Sequence, residues 1–207
     1  MFKKYWKFFV IFWSVVLVGI IGVFVFFWLI SAGKLGFMPT FEELENPNNR
    51  FASEVYFADG PIMNRYFEKE NRKYIEYREI PQSVIDALIA TEDVRFYDHS
   101  GVDVRGLFRV AKGLLTANTS AGGGSTISQQ LAKMLFPRES DLNVFELAIR
   151  KFREWVIAVR LEKSYTKEEI LTMYLNKFDF LNNAVGIKTA ASTYFGCEPK
   201  DLKIEQA

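Results

Sequence analysis

From Phe8 to Ile30 the chain runs 23 residues without a single charge. At about 1.5 Å per residue a helix of that length matches a hydrocarbon core of roughly 30 Å. A soluble helix needs a polar face, and six turns without one argue for lipid on every side. A cleavable leader has a shorter apolar core, of about 7–15 residues, so an uncleaved anchor fits better, with Ser31-Ala32-Gly33 as the alternative cleavage site. Trp6 and Trp28 stand near the two ends, where membrane interfaces favour indole rings. Lys3, Lys4 and Lys7 precede the stretch, whereas Lys34 is soon followed by Glu42, Glu43 and Glu45. The positive-inside rule then puts the N-terminus in the cytoplasm and the remainder outside.

Beyond the anchor the chain divides by composition. Residues 34–50 are rich in Gly, Pro and Asn and are expected to form a linker. Ser53–Phe57 and Ile62–Phe67 are β-prone runs around Ala58-Asp59-Gly60-Pro61, which predicts a β-hairpin. From Pro81 the period becomes helical. Val84, Ile85, Leu88 and Ile89 share one face, and the helix delivers Glu92 at its end. Gly122 to Gly124 lead into a second helix capped by Ser125 or Thr126, with Ile127, Leu131 and Leu135 as its apolar stripe. Pro137 ends it. A third helix is expected over about 143–161, burying Ala148, Phe152, Trp155 and Val159. Thr166 and Glu169 make a capping box for a fourth, ending near Asn176, and a weaker fifth pattern covers 184–194. The expected division is 1–33 for tail and anchor, 34–80 for linker and hairpin, and 81–207 for a mainly α domain.

Several chemistries are excluded by what is missing. Lys and Arg number 26 against 25 acidic residues, so a nucleic-acid partner has no electrostatic support. One His and one Cys nearly a hundred residues apart make neither a zinc set nor a nucleophile with its base. Cys197 alone allows no disulfide within the chain. Gly124-Ser125-Thr126 lacks the lysine of a phosphate loop. Carboxylates beside cations remain. Glu92 opens a decapeptide, Glu92 to Gly101, that holds three carboxylates and the single histidine. Thr126, Gln130 and Lys133 share a polar helix face, and Arg150, Lys151 and Glu154 cluster on the next helix. Two glutamates suit glycosyl transfer, and nearby cations suit a pyrophosphate leaving group. The residues by themselves fit a charged helix end and solvated turn as well as a catalytic site at Glu92, and at Glu154 they favour an ordinary Arg150–Glu154 surface pair worth about 0.2–0.5 kcal/mol.

The ordered motifs resemble those of the family 51 peptidoglycan glycosyltransferases, found as monofunctional enzymes and as the N-terminal domain of class A penicillin-binding proteins. Glu92-Asp93-x-x-Phe96-x-x-His99-x-Gly101 is complete. Gly123 to Lys133 is similar to the family's Gly-Ser-Thr-Ile-Thr-Gln-Gln-Leu box, with Ser128 a mild change. Arg150-Lys151-x-x-Glu154, Lys167-x-Glu169-Ile170-Leu171-x-x-Tyr174-Leu175-Asn176 and the block from Gly186 to Gly196 follow in order. The resemblance implies a lysozyme-like, mainly helical domain behind one transmembrane helix and a short β-hairpin. It implies that Glu92 and Glu154 are the catalytic pair, with Glu92 as general base. Asp93 and His99 would order the first motif. The implied substrate-binding set is Asp93, Phe96, His99, Ser125, Thr126, Gln129, Gln130, Lys133, Arg150 and Lys151. No cofactor is required, although Glu154 offers a place for a divalent cation, Mg or Mn.

The implied partners are lipid II, the nascent glycan strand, the plasma membrane and other cell-wall synthesis proteins, with the catalytic domain periplasmic or extracellular. An inactive membrane-anchored scaffold is the alternative, and lytic cleavage of existing glycan a third reading. Three departures stand out. Met134 replaces a usual Asn, Leu181 replaces a frequent Gly, and the family's domain continues past Ala207, so a C-terminally truncated domain is expected. The hairpin points to a bifunctional parent.

Overall fold

The computed structural model describes residues 2–40, 43–44, 53–56, 62–66, 73–116, 123–136 and 142–207. Helix α1 (Phe2–Ser31) is long and apolar enough to cross a membrane. Strands β1 (Ser53–Tyr56) and β2 (Ile62–Tyr66) pair antiparallel, Ser53 opposite Tyr66 and Glu54 opposite Arg65. The expected turn at 58–61, most of the linker after 44, Gly122 and Pro137 lie outside the described residues.

The rest is helical, and local chemistry sets the boundaries. Helix α2 (Gln82–Glu92) starts behind Pro81, which stands at the cap rather than inside the first turn. Helix α3 (Val104–Leu115) follows Asp103, whose carboxylate accepts from the Gly106 amide at 2.9 Å. Helix α4 (Ile127–Leu135) is capped by Thr126, whose hydroxyl accepts from Gln129 N, a device worth about 1 kcal/mol. Helix α5 (Val144–Ser164) starts with a capping box between Asn143 and Glu146. Helix α6 (Lys167–Lys177) starts with the expected one between Thr166 and Glu169. Helix α7 (Ile187–Phe195) begins three residues later than its sequence pattern, behind Gly186.

Helix α4 is the centre of the domain. It packs against α5 and α6, and Ile127, Leu131, Leu161, Ile170 and Leu171 are fully buried among them. The segment before α2 is fastened to α6 by Asn176, whose side chain accepts from Ile75 N at 2.9 Å and donates to Ile75 O at 2.8 Å.

Helix α5 corrects one expectation. Its core side is Arg153, Glu154, Ile157, Ala158 and Leu161, whereas Ala148 is exposed and Phe152, Trp155 and Val159 are only half-buried. The reason is a second apolar neighbour. Phe152 meets Phe26 and Phe27 of α1 edge-on, with ring centres 5.3 and 5.7 Å apart, and Trp155 at 5.1 Å. Arg160 adds donations to Ser31 O at 2.8 Å and to Pro39 O at 3.1 Å. One helix therefore carries the domain's core on one side and holds α1 on the other.

Candidate active site

Helix α2 ends at Glu92, and the next residue leaves helical geometry at once (Asp93, φ −157°). This break turns Glu92 outward and Asp93 inward. Asp93 is 7% exposed, and its carboxylate is fully occupied. It lies 2.9 and 3.1 Å from His99 Nε2 and accepts from Ile127 N at 3.1 Å. His99 Nδ1 accepts from the Gly101 amide at 3.3 Å, which leaves Nε2–H to donate to Asp93. A carboxylate at the N-terminus of α4 also meets the favourable end of its dipole.

The loop after Asp93 is clamped from three sides. Thr126 Oγ1 donates to Gly101 O at 2.7 Å, and Gln129 Nε2 donates to the same oxygen at 3.2 Å. Lys167 Nζ donates to His99 O at 2.7 Å, pairs with buried Glu162 and lies 4.2 Å over the Phe96 ring. Gly101 has φ +93°, and a Cβ there would sit 2.7 Å from the Ala158 backbone. Only glycine lets the loop approach α5 this closely.

Phe96 and Gln129 are both 0% exposed and hold the loop. Thr126, 2% exposed, has its hydroxyl committed to the cap and to Gly101. Asp93 and His99 belong to the same frame, as the first motif implied.

Glu92 itself is exposed and accepts a hydrogen bond from Gln130 Nε2 at 2.7 Å. It lines a cleft of about 390 Å³ with Arg95, Asp103, Arg109, Ser125 and Gln130. Arg95 is taken up by Asp103. Burial tends to raise the Asp103 pKa. The Arg95 hydrogen bond, the Gly106 N–H and the Arg95 charge together outweigh this and hold it below its ordinary value.

Glu154 has the opposite surroundings. It is 9% exposed, 3.1 Å from Lys151 Nζ and 3.9 Å from Lys133 Nζ. Lys151 also donates to Ser125 Oγ at 3.0 Å, which ties α5 to the entry of α4. The expected Arg150–Glu154 pair does not form, and half-buried Arg150 makes no ion pair among the described residues. A divalent cation asks for several oxygen ligands. Glu154 supplies one carboxylate already flanked by two ammonium groups, and no group of three His, Cys, Asp or Glu fit for a metal occurs among the described residues. This donor set does not suit a metal ion.

Sequence reasoning missed four contributors: helix α3, Arg109, the Lys167–Glu162 pair, and Tyr174, whose hydroxyl donates to Gln130 Oε1 at 3.0 Å. Asp103 ahead of Val104, Leu107, Phe108 and Ala111 was a signal for α3. The other three depend on contacts between distant segments.

A family model described as Transglycosylase matches residues 59–207. Penicillin-binding protein 1A of Escherichia coli (strain K12) is 37% identical over 169 residues, covering 82% of this chain and 19% of that protein. Its counterpart in Pseudomonas aeruginosa is 38% identical, covering 82% and 20%. Penicillin-binding protein 1F of Bacillus subtilis (strain 168) is 41% identical over 137 residues, 66% of this chain and 18% of the relative. The chain spans about a fifth of the length of the curated relatives it matches.

Proposed function

The chain belongs to the transglycosylase family, and from that premise we propose that it polymerises lipid II into β-1,4 glycan strands for the cell wall. Undecaprenyl pyrophosphate is released at each step. The observation that carries this reading is the separation of two carboxylates, one open to the cleft and one buried among cations. Glu92 takes the proton from the 4-hydroxyl of the acceptor GlcNAc. That oxygen attacks the anomeric carbon of the lipid-linked MurNAc from the face opposite the leaving group, so configuration inverts. The bond to pyrophosphate breaks, and its electron pair leaves with the phosphate oxygen.

The leaving group needs no acid, because charge can neutralise it. Lys133, Lys151 and Arg150 supply that charge from α4 and α5, and Glu154 holds the first two in register. Ser125 and Gln130 complete the cleft wall.

In this reading residues 81–207 form a lysozyme-like catalytic domain, 34–80 a linker with a β-hairpin, and 1–33 a cytoplasmic tail and membrane anchor. Lys3, Lys4 and Lys7 in the first turns of α1 favour a catalytic domain outside the plasma membrane, by the positive-inside rule. Such a domain works beside lipid-borne substrate and other wall-synthesis proteins. The contact of Phe152 with Phe26 and Phe27 favours this arrangement, because it fixes the cation-bearing helix directly against the anchor.

The full chain in detergent, given lipid II, should produce glycan polymer. Glu92→Gln should cut the rate by about 10²–10⁴-fold, the usual share of a general base, with melting unchanged. Activity near wild type in that variant overturns the assignment. No polymer from wild type leaves the scaffold, and shortening of preformed glycan would indicate lytic cleavage.

A further inference from the structure

We propose that Tyr174 is a positioning residue for this reaction, its buried hydroxyl acting through Gln130 to fix the carboxylate of Glu92. The inference rests on Glu92 being the base, and it concerns how an exposed side chain at a helix end is kept in one place. Glu92 has several rotamers open to it and takes one hydrogen bond among the described residues, 2.7 Å from Gln130 Nε2. A carboxylate can only accept, so Gln130 must turn its NH₂ toward Glu92. The amide's oxygen then points away and needs a donor. Tyr174 OH supplies it at 3.0 Å.

The tyrosine is the fixed end of this chain. It is 2% exposed, its ring stacks on Phe178 at 5.3 Å, and it stands on α6, packed against α4. Burial and the charge of Glu92 both raise its pKa, so the phenol stays protonated and keeps a proton to donate to Gln130 Oε1. Were the amide reversed, its oxygen would face the carboxylate and repel it. The hydroxyl thus selects the amide orientation, and the amide selects the Glu92 rotamer. The relay is also neutral. A cation in its place would orient the glutamate equally well but would lower its basicity. Arg95, the cation closest along the chain, is instead bonded to Asp103.

The test compares wild type, Tyr174→Phe, Gln130→Asn and the double variant, each as the full chain polymerising lipid II. Losing one hydrogen bond in the relay should lower kcat by about 3- to 15-fold, with KM within about twofold. In the Gln130→Asn background, where the side chain is too short to span both partners, Tyr174→Phe should cost less than about twofold more. A Tyr174→Phe kcat within twofold of wild type overturns the proposal. So does the same loss in both backgrounds, since that marks a purely structural role. A wild type that makes no polymer defeats the functional reading instead. The relay is then judged by the Gln130 side-chain amide resonances of ¹⁵N-glutamine-labelled protein, which must move in Tyr174→Phe; resonances that stay in place overturn it.

Discussion

Glu92 and Glu154 are the same side chain in opposite settings. Glu92 ends a helix, open to a cleft, and is held by the neutral amide of Gln130. Glu154 sits within a helix, 9% exposed, between the ammonium groups of Lys151 and Lys133. A base has to be reached by its substrate, and a cation beside it would weaken its hold on a proton. A carboxylate that gathers cations works best where water competes least. In the proposed reaction the two regions divide proton transfer from charge neutralisation, and both glutamates face side chains of α4 from separate helices.

Substitutions can break this division. Glu92→Gln should show the largest effect, a loss of turnover of about 10²–10⁴-fold, with no loss of stability because the residue is exposed. Glu154→Gln should instead lower both. It removes the negative charge that faces two partly buried ammonium groups, which should cost about 1–3 kcal/mol in urea unfolding alongside a loss of polymerisation. Equal stability of the two variants would erase the contrast.

Asp103→Asn tests whether the Glu92 side is kept free of cations. It releases Arg95 toward the cleft that both residues line. Because the folded-state pKa of Asp103 is lowered, its contribution to stability is fully present above about pH 4, the ordinary aspartate value. The contribution is lost as pH falls through the lowered value. The variant should therefore be less stable than wild type at pH 7 and approach it near pH 3, as read by urea unfolding at the two pH values. The smallest effect is expected in the turn that follows α6. Leu181, Asn182 and Asn183 all have positive φ, at 70°, 48° and 60°. Leu181→Gly relieves a left-handed leucine at some entropic cost, a net gain of about 0.5 kcal/mol by thermal unfolding, with polymerisation unchanged.

Much of this was legible from local chemistry. Thr126 and Thr166 announce their helices because a cap is a contact between residues three apart. The position of Glu92 at a helix end comes from the apolar period before it. That Phe96 and Gln129 are fully buried was not legible, because a motif records which residues recur and not which way they face. Helix α5 was rotated in the sequence reading because its largest apolar residues turn toward α1, a neighbour more than a hundred residues away. Helix α3 was legible in the spacing of Val104, Leu107, Phe108 and Ala111, and only the structure shows that Val104, Phe108 and Leu115 stay exposed.

The sequence by itself determined an uncharged span long enough for a membrane, a mainly α domain with caps at fixed places, and the carboxylates and cations available for chemistry. These are set by neighbours along the chain, where periodicity and capping act over a few residues. The tertiary structure decided what each group does. It gave Glu92 a neutral partner through Tyr174, 44 residues beyond Gln130, and gave Glu154 two lysines from separate helices. The difference is physical: a side chain's exposure and partners depend on which distant surfaces pack together, and no local pattern encodes that.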